Sequence, residues 1–339
     1  MSDTQRTIDF IYPAEWPCTK NPLMAGLKEQ TQDWAHEIGL ILSQDTGLKR
    51  MQEALDPAEF VGLAYPLTRN VEFLRFATDF SLCITVLDDE LEKSPLEMDS
   101  RARTELLRGF KTLMEGGDAP GLRRYAAAYH DIISRLQRLA GEEHGPRLTA
   151  RFISMFEQML SMIVWEEPKA SLSWQDRDYY EVVRPVVSQL LWYCMFVQIA
   201  DECYLPETIN EDTRVQRLGS LMTLLFSLLN DVMSISKDEA SRPVLNAILM
   251  HMHRKRCSEA EAIAAVARWH NQRIGEFMQT AREAVQRFGV LNDHVERYAR
   301  GVQNLLQGSI EWMLRVRRYT LPTSCQVRIG SKLEAHAPG

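Results

Sequence analysis

Helical periodicity extends along most of the chain. From about residue 21 to residue 320, apolar residues recur at intervals of three and four, which is the spacing of one face of an α-helix. No stretch alternates between apolar and polar residues for long enough to predict a strand. Divided at its proline and glycine residues, the pattern predicts helices at about 22–48, 57–64, 70–93, 99–115, 119–141, 145–166, 175–202 with a break, 208–238, 243–253, 258–288 and 291–319.

One all-α domain over residues 21–320 is the simplest account of this pattern, since neither an internal repeat nor a low-complexity linker divides the chain. The two ends, residues 1–20 and 321–339, are rich in proline and polar residues. We expect both ends to be loose unless a ligand orders them.

The composition is that of a globular protein, with 45% apolar and 25% charged residues among 339. The net charge of -7 argues against broad nucleic-acid binding, because such binding needs a basic surface. An anionic ligand would have to be held locally, by a metal and by a few placed arginine and lysine side chains.

The cysteines and the N-terminus predict a cytoplasmic protein. The six cysteines form no CxxC pair and no zinc spacing, and we interpret them as free thiols of a reducing compartment. The first ten residues, MSDTQRTIDF, contain no apolar stretch of the signal-peptide kind. The longest apolar run, at about 222–229, is far too short to span a bilayer. We therefore expect no membrane span, and a homodimer remains open.

Two predicted helices each change from apolar to oxygen-rich along one face. A four-residue step drifts by only about 40°, so residues that repeat at this interval stay on one face. The first series is Phe76, Phe80, Ile84, Asp88 and Glu92, and the second is Met222, Phe226, Asn230, Ser234 and Asp238. They predict a deep apolar pocket with magnesium at its mouth, since Mg²⁺ prefers oxygen ligands and bridges to substrate phosphates. Such a pocket suits a prenyl diphosphate, which has an apolar tail and a multiply charged head.

Each oxygen-rich segment also has an ordinary interpretation. Asp88 and Glu92 could belong to a solvated helix end, and the second series could be a polar helix terminus with local side-chain bonds. The second series is the more specific, because Asn230 and Ser234 are indifferent helix formers within an apolar helix.

Four further side chains complete a candidate phosphate site. Arg184 precedes Pro185, which we expect to break or kink the helix there. Lys237 lies beside the second series, and Arg318 and Tyr319 close the last predicted helix. Arginine forks onto phosphate oxygens, and tyrosine can donate one more hydrogen bond. Singly, each is an ordinary surface residue; together with the two series they form a candidate binding site.

These residues resemble a known family, the microbial class I terpene synthases, also called terpene cyclases, over about residues 20–320. The segment DDELE at 88–92 resembles the aspartate-rich motif of the family, and NDVMSISKD at 230–238 resembles its Asn-Ser-Glu triad motif. Arg184 lies where the family has its diphosphate-sensing arginine, and residues 318–319 resemble its Arg-Tyr pair. Each motif is modest alone, but their joint order and spacing are specific.

The resemblance implies a single-domain, barrel-like helical fold with a central apolar cavity, three Mg²⁺ ions and an acyclic prenyl diphosphate substrate. The metal ligands that follow are Asp88, Glu92, Asn230, Ser234 and Asp238. The diphosphate would be held by Arg184, Lys237, Arg318 and Tyr319. Together these groups would trigger ionisation to an allylic cation, which the closed pocket folds into a ring.

The chain departs from the family pattern at three places. Asp238 stands where the triad usually ends in Glu, and Glu239 follows it. Ile84 and Thr85 stand where members often carry aromatic residues. The third place is Val187 and Ser188, after the sensor arginine, which are matched to the helix break of the family by position only.

Aromatic side chains are candidates for the hydrocarbon end of the pocket, because their faces stabilise cations. With Ile84, the candidates are Phe76, Phe80, Trp192, Phe196, Phe226 and Trp312. We expect Trp312 on the face of Tyr319, about 10 Å deeper along one continuous helix. Core packing is the alternative for each of these residues.

The predicted activity is Mg²⁺-dependent cyclisation of an acyclic prenyl diphosphate with release of diphosphate. Farnesyl diphosphate is the commonest substrate of the family, and a diterpene synthase acting on geranylgeranyl diphosphate is the first alternative. A chain-elongating prenyltransferase should carry a second aspartate-rich motif, whereas the second site here is Asn230, Ser234 and Asp238. A non-catalytic helical binder with remnant motifs is the remaining alternative.

Overall fold

The computed structural model describes residues 6–16, 18–93, 100–165, 176–240, 245–289 and 293–333. Over these residues the chain is helical apart from its loops and one pair of short strands, β1 (Thr7–Pro13) and β2 (Gln326–Leu333). The helices are α1 (Leu27–Glu37), α2 (Thr46–Leu55), α3 (Pro57–Ala64), α4 (Val71–Lys93), α5 (Ser100–Met114), α6 (Arg123–Trp165), α7 (Arg177–Val187), α8 (Leu191–Ala200), α9 (Glu207–Asn210), α10 (Thr213–Met233), α11 (Ile235–Ala240), α12 (Ala247–Lys255), α13 (Glu259–Phe288) and α14 (Asp293–Arg315).

Helix α10 lies at the centre of the bundle. Every residue from Leu221 to Leu229 is buried, and the helix packs against α7, α13 and α14. Helix α8 is buried in the same way from Trp192 to Ala200, between α4, α6 and α14. A helix that is apolar on all sides is stable only when other elements surround it. The predicted all-α class is confirmed.

Three helices predicted in the first half of the chain have different boundaries in the structure. The segment predicted at 22–48 holds α1, which begins after Gly26 in a left-handed conformation, and the start of α2. The segments predicted at 119–141 and 145–166 are joined in α6, which kinks at Gly141. Gly141 has a φ of 75°, which a glycine adopts without a steric penalty.

Three helices beside the cavity end at residues other than those predicted. The break expected at Pro185 is absent, and α7 continues to Val187, where the Ser188 amide still donates to the Arg184 carbonyl at 3.0 Å. The break follows at Gln189, whose φ is 67°. Helix α10 ends before Ser234, so the second oxygen-rich series is not one continuous helix. Helix α14 ends at residue 315, before the Arg-Tyr pair.

The expectation of loose chain ends is wrong for residues 7–13 and 326–333, which pair as parallel strands. Phe10 is fully buried, and the Tyr12 hydroxyl lies 2.6 Å from Nε2 of His270 on α13. The Asn271 amide bonds the β1 backbone on both sides, accepting from the Ile11 N–H and donating to the Asp9 carbonyl, each at 2.9 Å. The two strands come from opposite ends of the chain, so no local pattern could indicate their pairing.

Within the described ranges, no single helix is long and apolar enough to cross a membrane. The bent pair of α7 and α8 passes that test only when the two are taken together, by length and composition.

Candidate active site

A cavity of about 230 Å³ lies where α4, the α7–α8 break, the α10–α11 junction and the chain after α14 meet. Its walls include the predicted polar residues Asp88, Arg184, Asn230, Ser234, Lys237, Asp238, Arg318 and Tyr319. The predicted ligand Glu92 lies on α4, but its side chain falls outside the described residues. The structure therefore gathers in one cavity every predicted diphosphate or metal residue whose side chain it describes.

Arg184 is fixed to the central helix by an ion pair. Its Nη2 donates to Asn230 Oδ1 at 3.1 Å and to Asp231 Oδ1 at 2.8 Å. Asp231 Oδ2 accepts from the Tyr180 hydroxyl and from the Ala247 amide, each at 2.7 Å. Burial lowers the pKa of Arg184, but Asp231, Tyr180 and Asp238 together outweigh burial, so the pKa is raised. Burial raises the pKa of Asp231, and Arg184 opposes that rise most strongly. Asp231 thus holds Arg184 at the cavity.

Asp238, in the place of the usual glutamate, is held by two donors. Its Oδ2 accepts from the Ser234 hydroxyl at 2.6 Å and from Asn246 Nδ2 at 2.8 Å. The same Asn246 amide group donates to the Asp231 carbonyl at 2.9 Å, while its Oδ1 caps α12. Asn246 therefore ties α10, α11 and α12 together behind the ligands, which fixes the shorter side chain of Asp238.

Asp88 lies on the opposite wall, at the side of α4 that faces the α7–α8 break. Its Oδ1 accepts from Gln189 Nε2 at 2.8 Å. Gln189 also lines the cavity and is 8% exposed. This hydrogen bond joins the first oxygen-rich series to the helix break that follows Arg184.

The chain after α14 folds back against α10. Asn230 Nδ2 donates to the Tyr319 hydroxyl at 3.1 Å, and the Thr320 amide donates to the Met233 carbonyl at 3.3 Å. Burial raises the pKa of Tyr319 to about 12, so its phenol keeps its proton and remains a donor at neutral pH. The rings of Trp312 and Tyr319 are in edge contact, with centroids 5.5 Å apart. The expected 10 Å separation along one helix is therefore wrong, because the helix ends between them.

The hydrocarbon end of the cavity differs from the prediction. Ile84, Phe226 and Trp312 line it, as expected. Four predicted residues are absent from its lining and pack in the core instead: Phe76, Phe80, Trp192 and Phe196. Phe80 contacts the rings of Trp192 and Phe196 edge-on, at centroid distances of 5.6 and 5.1 Å. The break at 188–190 turns α8 by 49° relative to α7, so Trp192 and Phe196 do not lie on one helix face with Arg184.

Five residues at the site were not found from the sequence: Phe60, Gln189, Tyr193, Asp231 and Asn246. Asp231 has a signal, since it is a second acidic residue within the motif at 230–238. Asn246 also has one, as an N-cap type residue before an apolar segment. The other three carry no signal that distinguishes them from core or loop residues.

The donor set fits a hard divalent cation. The candidate ligands Asp88, Asn230, Ser234 and Asp238 offer only oxygen atoms, which is the preference of Mg²⁺. Within the part of the chain that the structure describes, no three His, Cys, Asp or Glu side chains form a ligand group. The candidate site is thus divided between two walls and relies on the neutral oxygens of asparagine and serine.

Comparisons with known proteins agree with this geometry. The model of the family described as terpene synthase family 2, C-terminal metal binding, matches residues 79–276. The chain is 23% identical over 314 residues to 10-epi-cubebol synthase of Sorangium cellulosum, covering 92% of this chain and 96% of that one. It is 22% identical over 293 residues to a (+)-T-muurolol synthase of Roseiflexus castenholzii, named as (2E,6E)-farnesyl diphosphate cyclizing, covering 86% and 87%.

A solved structure shows the same fold. Germacradien-4-ol synthase from Streptomyces citricolor superposes with a TM-score of 0.71 at 20% identity, covering 91% of this chain and 98% of that one. The family match spans more than half of the chain and includes Asp88, Arg184 and the segment 230–238. The chain therefore belongs to terpene synthase family 2, whose C-terminal region binds metal, and is a class I terpene synthase.

Proposed function

We propose that this enzyme ionises and cyclises farnesyl diphosphate in a Mg²⁺-dependent reaction that releases diphosphate. The observation that carries the proposal is one cavity whose walls combine cationic side chains and oxygen ligands with apolar and aromatic side chains. A prenyl diphosphate likewise combines a charged head with a hydrocarbon tail. The choice of the C15 substrate is supported by the relative whose name records farnesyl diphosphate cyclisation.

Asp88 on α4 and Asn230, Ser234 and Asp238 on the α10–α11 wall would hold Mg²⁺, with three ions expected from the family resemblance. Bound Mg²⁺ supplies positive charge that stabilises the diphosphate as it leaves. The protein's own contribution is to hold these oxygens on opposite walls at fixed positions, which lowers the cost of reorganisation during the reaction.

The diphosphate would be bound by Arg184, Lys237, Arg318 and Tyr319, which all line the cavity. Nε of Arg184 is buried and has no hydrogen-bond partner among the described residues. A buried guanidinium N–H without a partner costs free energy, which a phosphate oxygen would recover. Tyr319 keeps its proton at neutral pH and adds a neutral donor.

The allylic cation would form against Phe60, Tyr193, Phe226 and Trp312. Phe60 touches both Tyr193 and Trp312 edge-on, at centroid distances of 4.9 and 5.2 Å. The rings of Phe60, Tyr193 and Trp312 thus pack together and form a fixed surface. Aromatic faces stabilise a cation without donating an attacking lone pair, so the ring closures can proceed before the cation is quenched.

The test is incubation of the purified protein with geranyl, farnesyl and geranylgeranyl diphosphates and Mg²⁺, followed by gas chromatography–mass spectrometry. We expect a cyclic C15 product from farnesyl diphosphate, and none after exhaustive treatment with EDTA. A cyclic C20 product in larger yield would replace farnesyl by geranylgeranyl diphosphate. Turnover that survives EDTA would contradict the metal requirement.

A further inference from the structure

Gln189 has an unusual backbone conformation for a buried residue. Its φ is 67°, in the left-handed region that glycine adopts readily and other residues avoid. The other non-glycine residues with positive φ in the described ranges are Asp56, Glu202 and Arg256. Asp56 caps α3 with its own side chain, and Glu202 and Arg256 are exposed where helices end. Gln189 is the buried member of this set, so its conformation needs another reason.

The side chain of Gln189 reaches across the cavity rim to the opposite wall. Nε2 donates to Asp88 Oδ1 at 2.8 Å, joining residues 101 positions apart in the sequence. A primary amide is a neutral donor, so it orients a carboxylate without cancelling the charge that a cation needs. Strained backbone positions of this kind concentrate at functional sites, where surrounding contacts hold them in place.

The neighbours of Gln189 do not make a comparable contact. Val187 and Leu190 have apolar side chains, and the Ser188 hydroxyl donates locally to the Pro185 carbonyl at 3.2 Å. Of the residues that form the α7–α8 break, Gln189 is thus the one whose side-chain hydrogen bond in the described structure reaches α4. Gln189 lies five residues after Arg184, so the segment 184–189 contacts Asp231 through Arg184 and Asp88 through Gln189.

We propose that Gln189 is a positioning residue that holds the Asp88 carboxylate in the orientation that binds Mg²⁺. The inference rests on the proposed function. It goes beyond the motif residues, because Gln189 lies outside both motifs in the sequence. Hydrogen-bond partners behind a ligand typically change metal affinity by 10- to 100-fold when they are removed. The left-handed backbone is retained because it directs this amide toward α4.

The test uses Gln189→Gly, which suits the backbone conformation and removes the amide. Thermal unfolding is followed at a fixed concentration of inorganic pyrophosphate while Mg²⁺ is titrated, and the stabilisation gives an apparent Mg²⁺ midpoint without any turnover. We expect the metal-free unfolding temperature to stay equal or rise, because glycine relieves the strained φ. The Mg²⁺ midpoint should rise at least about tenfold.

Two further substitutions at the same position separate reach from charge. Gln189→Asn keeps the amide and tolerates the left-handed conformation, but it is one methylene shorter; we expect it to resemble Gln189→Gly. Gln189→Glu keeps the length of the side chain and places a second carboxylate beside Asp88. We expect its metal-free stability to fall and its Mg²⁺ midpoint to differ from that of the wild-type protein.

The matched control is Glu202→Gly, which relieves a positive φ of 48° at an exposed position away from the cavity lining. It should leave the Mg²⁺ midpoint unchanged. Asp88→Ala is the positive control and should remove most of the Mg²⁺-dependent stabilisation. If Asp88→Ala has this effect while Gln189→Gly keeps the wild-type midpoint, the positioning role is overturned and the proposed function survives. If the wild-type protein shows no Mg²⁺-dependent stabilisation, both are overturned.

Discussion

The two walls that carry the oxygen ligands are supported by different contacts. On the α10–α11 wall, Asn230 contacts Arg184 and Tyr319, and Asp238 accepts from two side chains that are themselves fixed. On the α4 wall, Asp88 accepts a hydrogen bond from Gln189 in the α7–α8 break. Buried groups of α7, α10 and α12 therefore support the α10–α11 wall, whereas Gln189 couples the α4 wall to the helix break beside it. Substitution of a residue that supports the first wall should therefore reduce stability, whereas substitution of Asp88 should chiefly reduce product formation.

The largest effect on stability is expected from Asp231→Ala. This change leaves the Arg184 guanidinium buried without its carboxylate partner. Removing one member of a buried ion pair costs about 3–5 kcal/mol. Urea denaturation gives the free energy of unfolding. A loss below about 1 kcal/mol would show that the ion pair does not support this wall.

Asp88→Ala is the matched change on the other wall. We expect product formation to fall by about 100- to 1000-fold, the usual loss when one group that stabilises developing charge is removed. The free energy of unfolding should change by no more than about 1 kcal/mol, since Asp88 lies at the partly exposed rim. Near-normal product yield would exclude Asp88 from the metal site, and a large loss of stability would remove the contrast between the walls.

Asn246→Ala tests how far the support of the α10–α11 wall extends. It removes the cap of α12 and the donor to both Asp238 and the Asp231 carbonyl, so we expect a loss of about 2 kcal/mol. Asn246→Asp separates the two roles, because aspartate caps a helix but cannot donate to Asp238. Wild-type stability of Asn246→Asp in urea denaturation would mean that only the cap matters.

The smallest effect is expected from a pair of tryptophan substitutions in the hydrocarbon region. Trp312 lines the cavity and donates to the Leu55 carbonyl at 2.6 Å, whereas Trp192 lies in the core and donates to the Phe152 carbonyl at 3.2 Å. Replacing either by phenylalanine should cost about 1–2 kcal/mol, through one lost hydrogen bond and a small void.

Only Trp312→Phe should change the ratio of products measured by gas chromatography–mass spectrometry. The reason is that Trp312 forms part of the surface against which the cation folds. An unchanged product ratio for Trp312→Phe, or an altered one for Trp192→Phe, would show that the boundary of the cavity lies elsewhere.

The polar end of the site could be predicted from the sequence because oxygen ligands are conspicuous on an apolar helix. Asp88, Asn230 and Asp238 stand out against their surroundings, and a four-residue step keeps a series on one face over a few turns. The aromatic residues could not be assigned in this way. Helix α8 is buried on all sides from Trp192 to Ala200, so its periodicity contains no information about which side meets the cavity.

By itself, the sequence determined the all-α class, most helix positions and eight of the polar residues of the cavity, because these follow from local periodicity and from the rarity of oxygen ligands in apolar helices. The tertiary structure decided three other features: the break at Gln189, the return of Tyr319 onto Trp312, and the pairing of β1 with β2. Each depends on contacts between residues far apart in the chain. A hydrogen bond such as that from Gln189 to Asp88 offsets a strained backbone only after both helices have packed, so no local pattern could indicate it.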